Sequence, residues 1–260
     1  MPLWAFAAFL LAGVAGVCIA QDRVIPLNEL RSGSTFSSSE ARALQQDDFA
    51  NPGMLWVDKG EKLWRATAGS AGKSCASCHG DAKQSMKGVA ARYPAIDGAS
   101  GKLLDVEGKI QQCRAERQGA EAPRRESDEL LSLATYVSRQ SRGMPVQVSI
   151  DGAAKPHFEA GRTAYYRRQG QLNLSCAQCH EANRGRKLLT ETISQGHGTG
   201  YPGYRLEWQN QGSLERRLRA CFSGIRAEMH FYGAAEHLDL ALFLAWRAQG
   251  LPVESPGVRR

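Results

Sequence analysis

The chain opens without charge: no charged side chain appears before Asp22. An uncharged apolar run that ends in small residues is the pattern of a signal peptide. Cleavage is expected after Ala20, with Cys18 and Ala20 at the two key positions, although the amino-terminal region lacks the usual Lys or Arg. The run is almost long enough for a membrane anchor, and Cys18 is a possible lipid site behind a bulky Val17. All three alternatives export the chain; the expectation is a cleaved signal and no stable membrane anchor. An acidic excess is also lacking: 33 basic residues face 26 acidic ones, giving +7. That balance favours anionic substrates or acidic partner proteins. No segment resembles a nucleic-acid-binding module, so nucleic acid is not an expected partner. Methionine is scarce, and Met229 is the only one beyond Met144. Hydrophobic content of 42% and charged content of 23% are ordinary for a globular protein, and 260 residues allow one or two domains.

One pentapeptide occurs twice, as Cys75-Ala76-Ser77-Cys78-His79 and as Cys176-Ala177-Gln178-Cys179-His180. C-x-x-C-H is the attachment signature of c-type haem. Two thiols add across the two vinyl groups of one porphyrin, and the adjacent His supplies the proximal ligand to iron. A bare C-x-x-C would also fit a redox dithiol or half a zinc site, but the His after the second Cys argues against both. Two covalently attached haem c groups are therefore expected, on Cys75, Cys78, Cys176 and Cys179, with His79 and His180 as axial ligands. Haem c is attached outside the bacterial cytoplasm, which agrees with export and points to the periplasm.

The motifs sit inside a longer repeat. Gly60 precedes Cys75 by the same interval that separates Gly161 from Cys176, and each glycine reads as the start of a helix leading to its motif. Downstream, Glu129 through Gly143-Met144-Pro145-Val146 parallels Glu236 through Gly250-Leu251-Pro252-Val253, with an equal Glu-to-Gly separation in both. Leu130, Leu133, Ala134 and Val137 recur at helical spacing, as do Leu238, Ala241, Leu242 and Ala245. Gly143 and Gly250 close those helices. The pattern predicts an all-α fold: two tandem cytochrome c-like domains related by internal duplication, with an N-terminal extension. The expected division is 1–20 signal, 21–55 extension, 56–150 first domain and 151–260 second domain. Asp151-Gly152 and Lys155-Pro156 read as turns at the boundary. Within the extension, Ser39–Leu44 opens a short helix capped by Ser38 or Ser39, and the segment wraps the surface or meets a partner without evident chemistry of its own.

Two cysteines remain, Cys113 and Cys221. Glu107, Lys109 and Ile110 precede Cys113 at the same offsets at which Glu215, Arg217 and Leu218 precede Cys221. A structural disulfide, or two buried thiols, would be the ordinary use of such residues. Equivalent interior positions in separate domains are poorly placed for a disulfide. One thiolate on the distal side of each haem explains both, making Cys113 and Cys221 axial ligands. Met cannot serve both units, because Leu251 stands where Met144 stands; Met86 and Met229, and His157, His197, His230 and His237, are the other distal options. Arg216, Arg217, Arg219 and Arg226 lie around Cys221, and Arg247 lies on the helix expected beside it. Arginine suits oxyanions, and positive charge favours a thiolate. Some of these arginines have ordinary alternatives, as partners of haem propionates or of Glu215 and Glu228, with Arg219 and Arg226 the most ordinary.

Two well-separated C-x-x-C-H motifs, each followed by a lone Cys, resemble the SoxA family, a subunit of the SoxAX cytochrome complex of sulfur oxidation. The stretch Arg217 to Cys221 resembles that family's active site, where an Arg stands one helical turn before the essential Cys. The resemblance implies an L-cysteine S-thiosulfotransferase that couples thiosulfate to a cysteine of the SoxYZ carrier and passes two electrons out through haem to a SoxX cytochrome subunit in a heterodimer. It implies Cys221 as both haem ligand and catalytic residue, carrying a persulfide modification, and Arg217 as substrate-binding; Arg247 is the second substrate-binding candidate. The alternatives are a dihaem thiosulfate dehydrogenase that forms tetrathionate and a simple dihaem electron carrier.

Overall fold

The computed structural model describes residues 25–260. The expected signal segment, with Cys18 and Ala20, lies outside the described residues. Among the described residues, ten α-helices and seven short strands follow in order, with four short 3-10 turns before and between them: α1 Ser39–Gln46, α2 Met54–Arg65, α3 Cys75–His79, α4 Ala82–Ser85, β1 Ala95–Ile96, β2 Leu103–Leu104, α5 Val106–Gln118, α6 Asp128–Arg139, α7 Lys155–Tyr166, α8 Cys176–His180, β3 Lys187–Leu188, β4 Glu191–Thr192, β5 Gly203–Arg205, β6 Asn210–Gly212, α9 Leu214–Gly224, α10 Ala235–Arg247 and β7 Gly257–Arg259. The chain is mostly helical, but it is not all-α. β1 pairs with β2, β3 with β4, and β5 lies between β6 and β7 in a three-stranded sheet. Apart from β7, which follows the last helix, the strands lie in connections between helices, where pairing satisfies backbone groups that no helix takes up.

The helices form where apolar side chains recur on one face, and in several of them a polar side chain caps the first turn. α2 buries Val57, Gly60 and Trp64, and α7 buries Phe158, Gly161 and Tyr165 at the same spacing. Asp105 caps α5 by accepting from the Gly108 N–H at 2.7 Å, and Ser213 caps α9 by accepting from the Arg216 N–H at 3.0 Å. Ser38 caps α1 in the same way from the Ala41 N–H at 3.3 Å, as expected.

Gly60 and Gly161 are sites of close helix approach rather than helix starts. A Cβ on Gly60 would press on the Ser132 carbonyl and lie 2.6 Å from Tyr136 Cβ of α6. A Cβ on Gly161 would press on the Asp239 carbonyl and lie 3.0 Å from Phe243 Cβ of α10. Both helices begin well before their glycine, α2 at Met54 and α7 at Lys155. Lys155-Pro156 therefore opens a helix instead of making a boundary turn, because Pro lacks only an N–H that the first turn leaves unbonded anyway. At the other end α6 stops at Arg139 and α10 at Arg247, short of Gly143 and Gly250.

The segments after α6 and α10 bind each other reciprocally. Gly143 N–H donates to Val253 O at 2.8 Å, and Gly250 N–H donates to Val146 O at 3.0 Å. Val146 N–H donates to Leu251 O and Val253 N–H to Met144 O, both at 2.9 Å. Each bond maps onto another when the two repeats are exchanged. Beside this seam lies a cavity of about 130 Å3 lined by Ala134 and Ser138 of α6, Ala241 and Ala245 of α10, and Glu107 and Glu215. Arg125 joins the halves there, bonding Asp105 at 2.7 and 2.8 Å and Glu215 at 3.1 Å.

The extension clasps the C-terminal half of the chain. Arg31 N–H donates to Gln195 Oε1 at 2.8 Å, and Gln195 Nε2 donates to Glu29 O at 2.9 Å. Ser32 and Ser34 hydroxyls each donate to Glu254 Oε1 at 2.7 Å.

Candidate functional site

Both C-x-x-C-H motifs form a single helical turn, and the same device begins each. Ser74 and Ser77 form a capping box on α3, as Ser175 and Gln178 do on α8. One turn puts the two thiols and the imidazole of each motif in reach of one planar ring. All six described cysteines are free, so no disulfide joins Cys113 to Cys221.

In the second motif His180 is held from behind. Its Nδ1 lies 2.8 Å from the Ser194 carbonyl oxygen. A carbonyl can only accept, so Nδ1 carries the proton and Nε2 keeps its lone pair, the tautomer that ligates iron. Gly196, at φ +76°, packs against the ring so closely that a Cβ there would lie 2.9 Å from His180 Cγ. The ring is in hydrogen-bonding contact with the Cys221 thiol. His180 and Cys221 thus converge on one point beside Cys176 and Cys179, and Leu240 and Leu244 belong to the core cluster against which Cys176 packs. These residues fit a covalently attached haem c with His and Cys on its two faces.

Cys221 sits on α9, half-buried. Burial pushes its thiol up, but positive charge, foremost that of Arg217, outweighs burial and draws it below its ordinary value. Arg217 is one helical turn before Cys221, and the nearby Cys221 charge raises its own pKa. Arg205 has no counterpart in the expectations from sequence. It is buried at the end of β5, pairs with Glu207 at 3.0 Å and covers the Trp208 ring at 5.1 Å, and its charge also bears on Cys221. No helical spacing marks it, and its strand is too short to show a period.

The other basic residues take different places. Arg216 stacks on Trp208 at 4.4 Å and faces Glu126 at 3.8 Å. Arg219 stacks on Tyr232 at 4.4 Å. Arg247 is buried: it donates to Gln195 O at 2.9 Å and Glu181 Oε1 at 3.1 Å, and it covers the Tyr165 ring at 4.5 Å. These partners are groups of the protein scaffold. The four spare histidines are also engaged. His157 pairs with Asp239 at 2.7 Å, His197 with Gln195 at 3.1 Å and His237 with Glu215 at 2.8 Å, while His230 packs on Phe222 and His237.

The first motif has a different environment. Cys75 and Cys113 are half-buried, and Cys113 bears electrostatically on Cys75. Burial raises the Cys113 thiol, opposite to Cys221, and Lys109 only partly offsets it. Lys109 occupies the place of Arg217, but Asp97 takes its charge in an ion pair at 2.6 Å. His79 is exposed and packs on Trp64 with ring centroids 5.7 Å apart. Trp64, Tyr136, Val137, Cys75 and Ile110 belong to one apolar cluster, which fits a haem face as well.

Comparison with known proteins agrees with this chemistry. The family model "SoxA/TsdA, cytochrome c domain" matches residues 59–146, and a cytochrome c domain carries covalently bound haem c. The L-cysteine S-thiosulfotransferase subunit SoxA of Pseudaminobacter salicylatoxidans is 42% identical over 236 residues, covering 90% of this chain and 82% of that protein. The same subunit of Rhodovulum sulfidophilum is 39% identical over 89% of this chain and 81% of that protein. The crystal structure of SoxXA from P. pantotrophus superposes with a TM-score of 0.86 at 41% identity, covering 89% of this chain and 87% of the matched one. With fold, motifs and sequence likeness spanning nearly its whole described length, the chain belongs to the SoxA family of L-cysteine S-thiosulfotransferase subunits.

Proposed function

We propose that this chain is a dihaem enzyme of thiosulfate oxidation that joins thiosulfate to a cysteine of the SoxYZ carrier, with Cys221 as its catalytic residue. The observation that carries this is the contact of His180 with Cys221, whose thiol the charge of Arg217 draws down against burial. The overall change is a carrier thiol plus thiosulfate giving an S-thiosulfonate, one proton and two electrons. Haem, when bound, supplies a one-electron acceptor that passes those electrons onward, and a SoxX cytochrome subunit is the partner proposed to take them. Arg217 and Arg205 hold the dianion beside the Cys221 sulfur. The positive field around that sulfur keeps it nucleophilic, and a persulfide there is the form that would handle sulfur.

We assign the second haem to Cys176, Cys179, His180 and Cys221, and the first to Cys75, Cys78, His79 and Cys113. Two tandem cytochrome c-like domains related by duplication, over 56–150 and 151–260, are the architecture this assignment rests on. The equivalent glycine contacts and the reciprocal seam support it. The ion pair of Lys109 with Asp97 supports a noncatalytic first site. Export through a signal ending at Ala20 would place the protein in the periplasm; among the described residues no helix is long and apolar enough to cross a membrane.

The test is Cys221→Ala. The variant is expected to keep two covalent haems by mass and to lose carrier-dependent thiosulfate oxidation. Retained activity refutes the assignment. The family model is shared with TsdA, so thiosulfate is also supplied without carrier; turnover there would favour the tetrathionate-forming reading.

A further inference from the structure

We propose that Arg247 is a positioning residue for the second haem: with Gln195 and Glu181 it forms a brace that fixes the proximal His180 from behind. The proposal rests on the placing of haem between His180 and Cys221 set out above. It replaces the expectation that Arg247 binds substrate.

The brace has three contacts on one guanidinium. One nitrogen donates to the Gln195 carbonyl, the next residue after the Ser194 carbonyl that receives His180 Nδ1. Another donates to Glu181, the residue that directly follows His180. The flat face rests on Tyr165 of α7. Both chain segments that determine the imidazole's plane are therefore tied to one buried, planar, permanently charged group. Arginine suits this because its donors diverge in a fixed fork. Tyr166 adds a second bond to Glu181 at 3.1 Å. Gln195 is tied outward too, through its side chain to Arg31 and Glu29 of the N-terminal clasp.

The first unit solves the same problem with weaker means. Gln140 stands where Arg247 stands, counting from Glu129 and Glu236, and its amide bonds back to its own helix at the Tyr136 carbonyl. Trp64, the counterpart of Tyr165, reaches the Gly80 carbonyl at 3.0 Å, just after His79. A charged brace is thus particular to the unit with the catalytic cysteine. The Nδ1–H···O bond makes an imidazole a more basic ligand and favours ferric iron. Loosening the Ser194–Gly196 loop weakens that bond, so the second haem should become easier to reduce.

The experiment uses the full chain with its haems, in Arg247→Gln, Arg247→Lys and Gln140→Ala variants. Ferric low-spin electron paramagnetic resonance and redox titration read each haem separately, with the first as internal reference. Arg247→Gln is expected to shift the second haem's g-values and raise its potential while leaving the first haem unchanged. Arg247→Lys should restore part of the shift, and Gln140→Ala should leave the second haem as it is. A variant with both haems attached and an unaltered second-haem spectrum overturns the brace. If Arg247→Gln does not mature, Glu181→Gln removes only a charge; an unaltered second haem there overturns it equally. Absence of haem on Cys176 and Cys179 in the wild-type chain overturns the underlying assignment along with the brace, whereas failure of Cys221→Ala to lose activity touches the catalytic reading alone.

Discussion

Gly161→Ala gives a quantitative test of the helix crossing that walls the second site. The added Cβ would lie 2.5 Å from the Asp239 carbonyl carbon and 3.0 Å from Phe243 Cβ. Carbon contacts relax at about 3.5 Å, so α7 and α10 must part by roughly 1 Å. The obstacle is backbone, which cannot rotate away. Overpacking of this kind costs about 1–3 kcal/mol, and a rigid obstacle belongs at the upper end. Alanine recovers about 1 kcal/mol of helix propensity over glycine. The net loss is about 2 kcal/mol, a fall in Tm of roughly 4–8 °C for a chain of this size. Thermal denaturation followed at the Soret band reads it. Gly224→Ala is the control, since a Cβ there meets nothing within 4 Å, and it should match or slightly exceed the wild type. A Gly161→Ala protein as stable as the wild type would refute the close-approach argument. The equivalent Gly60→Ala should lose a similar amount.

Two further outcomes follow from particular groups. Arg205→Met should lower kcat/KM for thiosulfate by about 10- to 100-fold, the range for losing a charged hydrogen bond, with covalent haem content unchanged; steady-state kinetics at saturating carrier measures it, and an unchanged ratio removes Arg205 from the anion site. Burial raises the Glu107 carboxyl well above its ordinary 4.5, against the partial opposition of Arg125 at 3.5 Å. The folded state then holds a proton that the unfolded state releases, so stability falls as pH rises above about 4.5. Glu107→Gln should abolish that component, and its Tm advantage over the wild type should widen as pH rises above about 4.5; a constant difference would show that Glu107 is ionised in the fold.

What the sequence disclosed was the chemistry carried by side chains at fixed spacing. The haem cysteines are legible because one helical turn must present both thiols and the imidazole. The equivalence of Cys113 and Cys221 is legible because α5 and α9 repeat the same approach to the thiol. Hidden from sequence were groups that act through backbone. Ser194 offers a carbonyl, which any residue could supply. Arg205, whose charge bears on Cys221, stands on a short strand whose parallel partner, β7, comes from the far end of the chain. Arg247 is legible as a residue of the helix beside Cys221, but its bonds to Gln195 and Glu181 are not, because periodicity gives a face and not the atoms opposite it. Lys155-Pro156 has two physical meanings, turn and first helical turn, and only the packing of Phe158 decides between them.

The reciprocal seam has a consequence for how such a chain can change. Its four bonds are all between backbone groups, so they persist under almost any side-chain substitution that keeps Gly143 and Gly250. None of the four proposed haem ligands takes part in it. In the duplicated architecture proposed above, the two halves would stand toward each other as a two-fold dimer sealed into one polypeptide, in which symmetry is enforced at the join and released everywhere else. On that reading the first half is free to drift, with Lys109 paired to Asp97 and His79 at the surface, while the join continues to support the second.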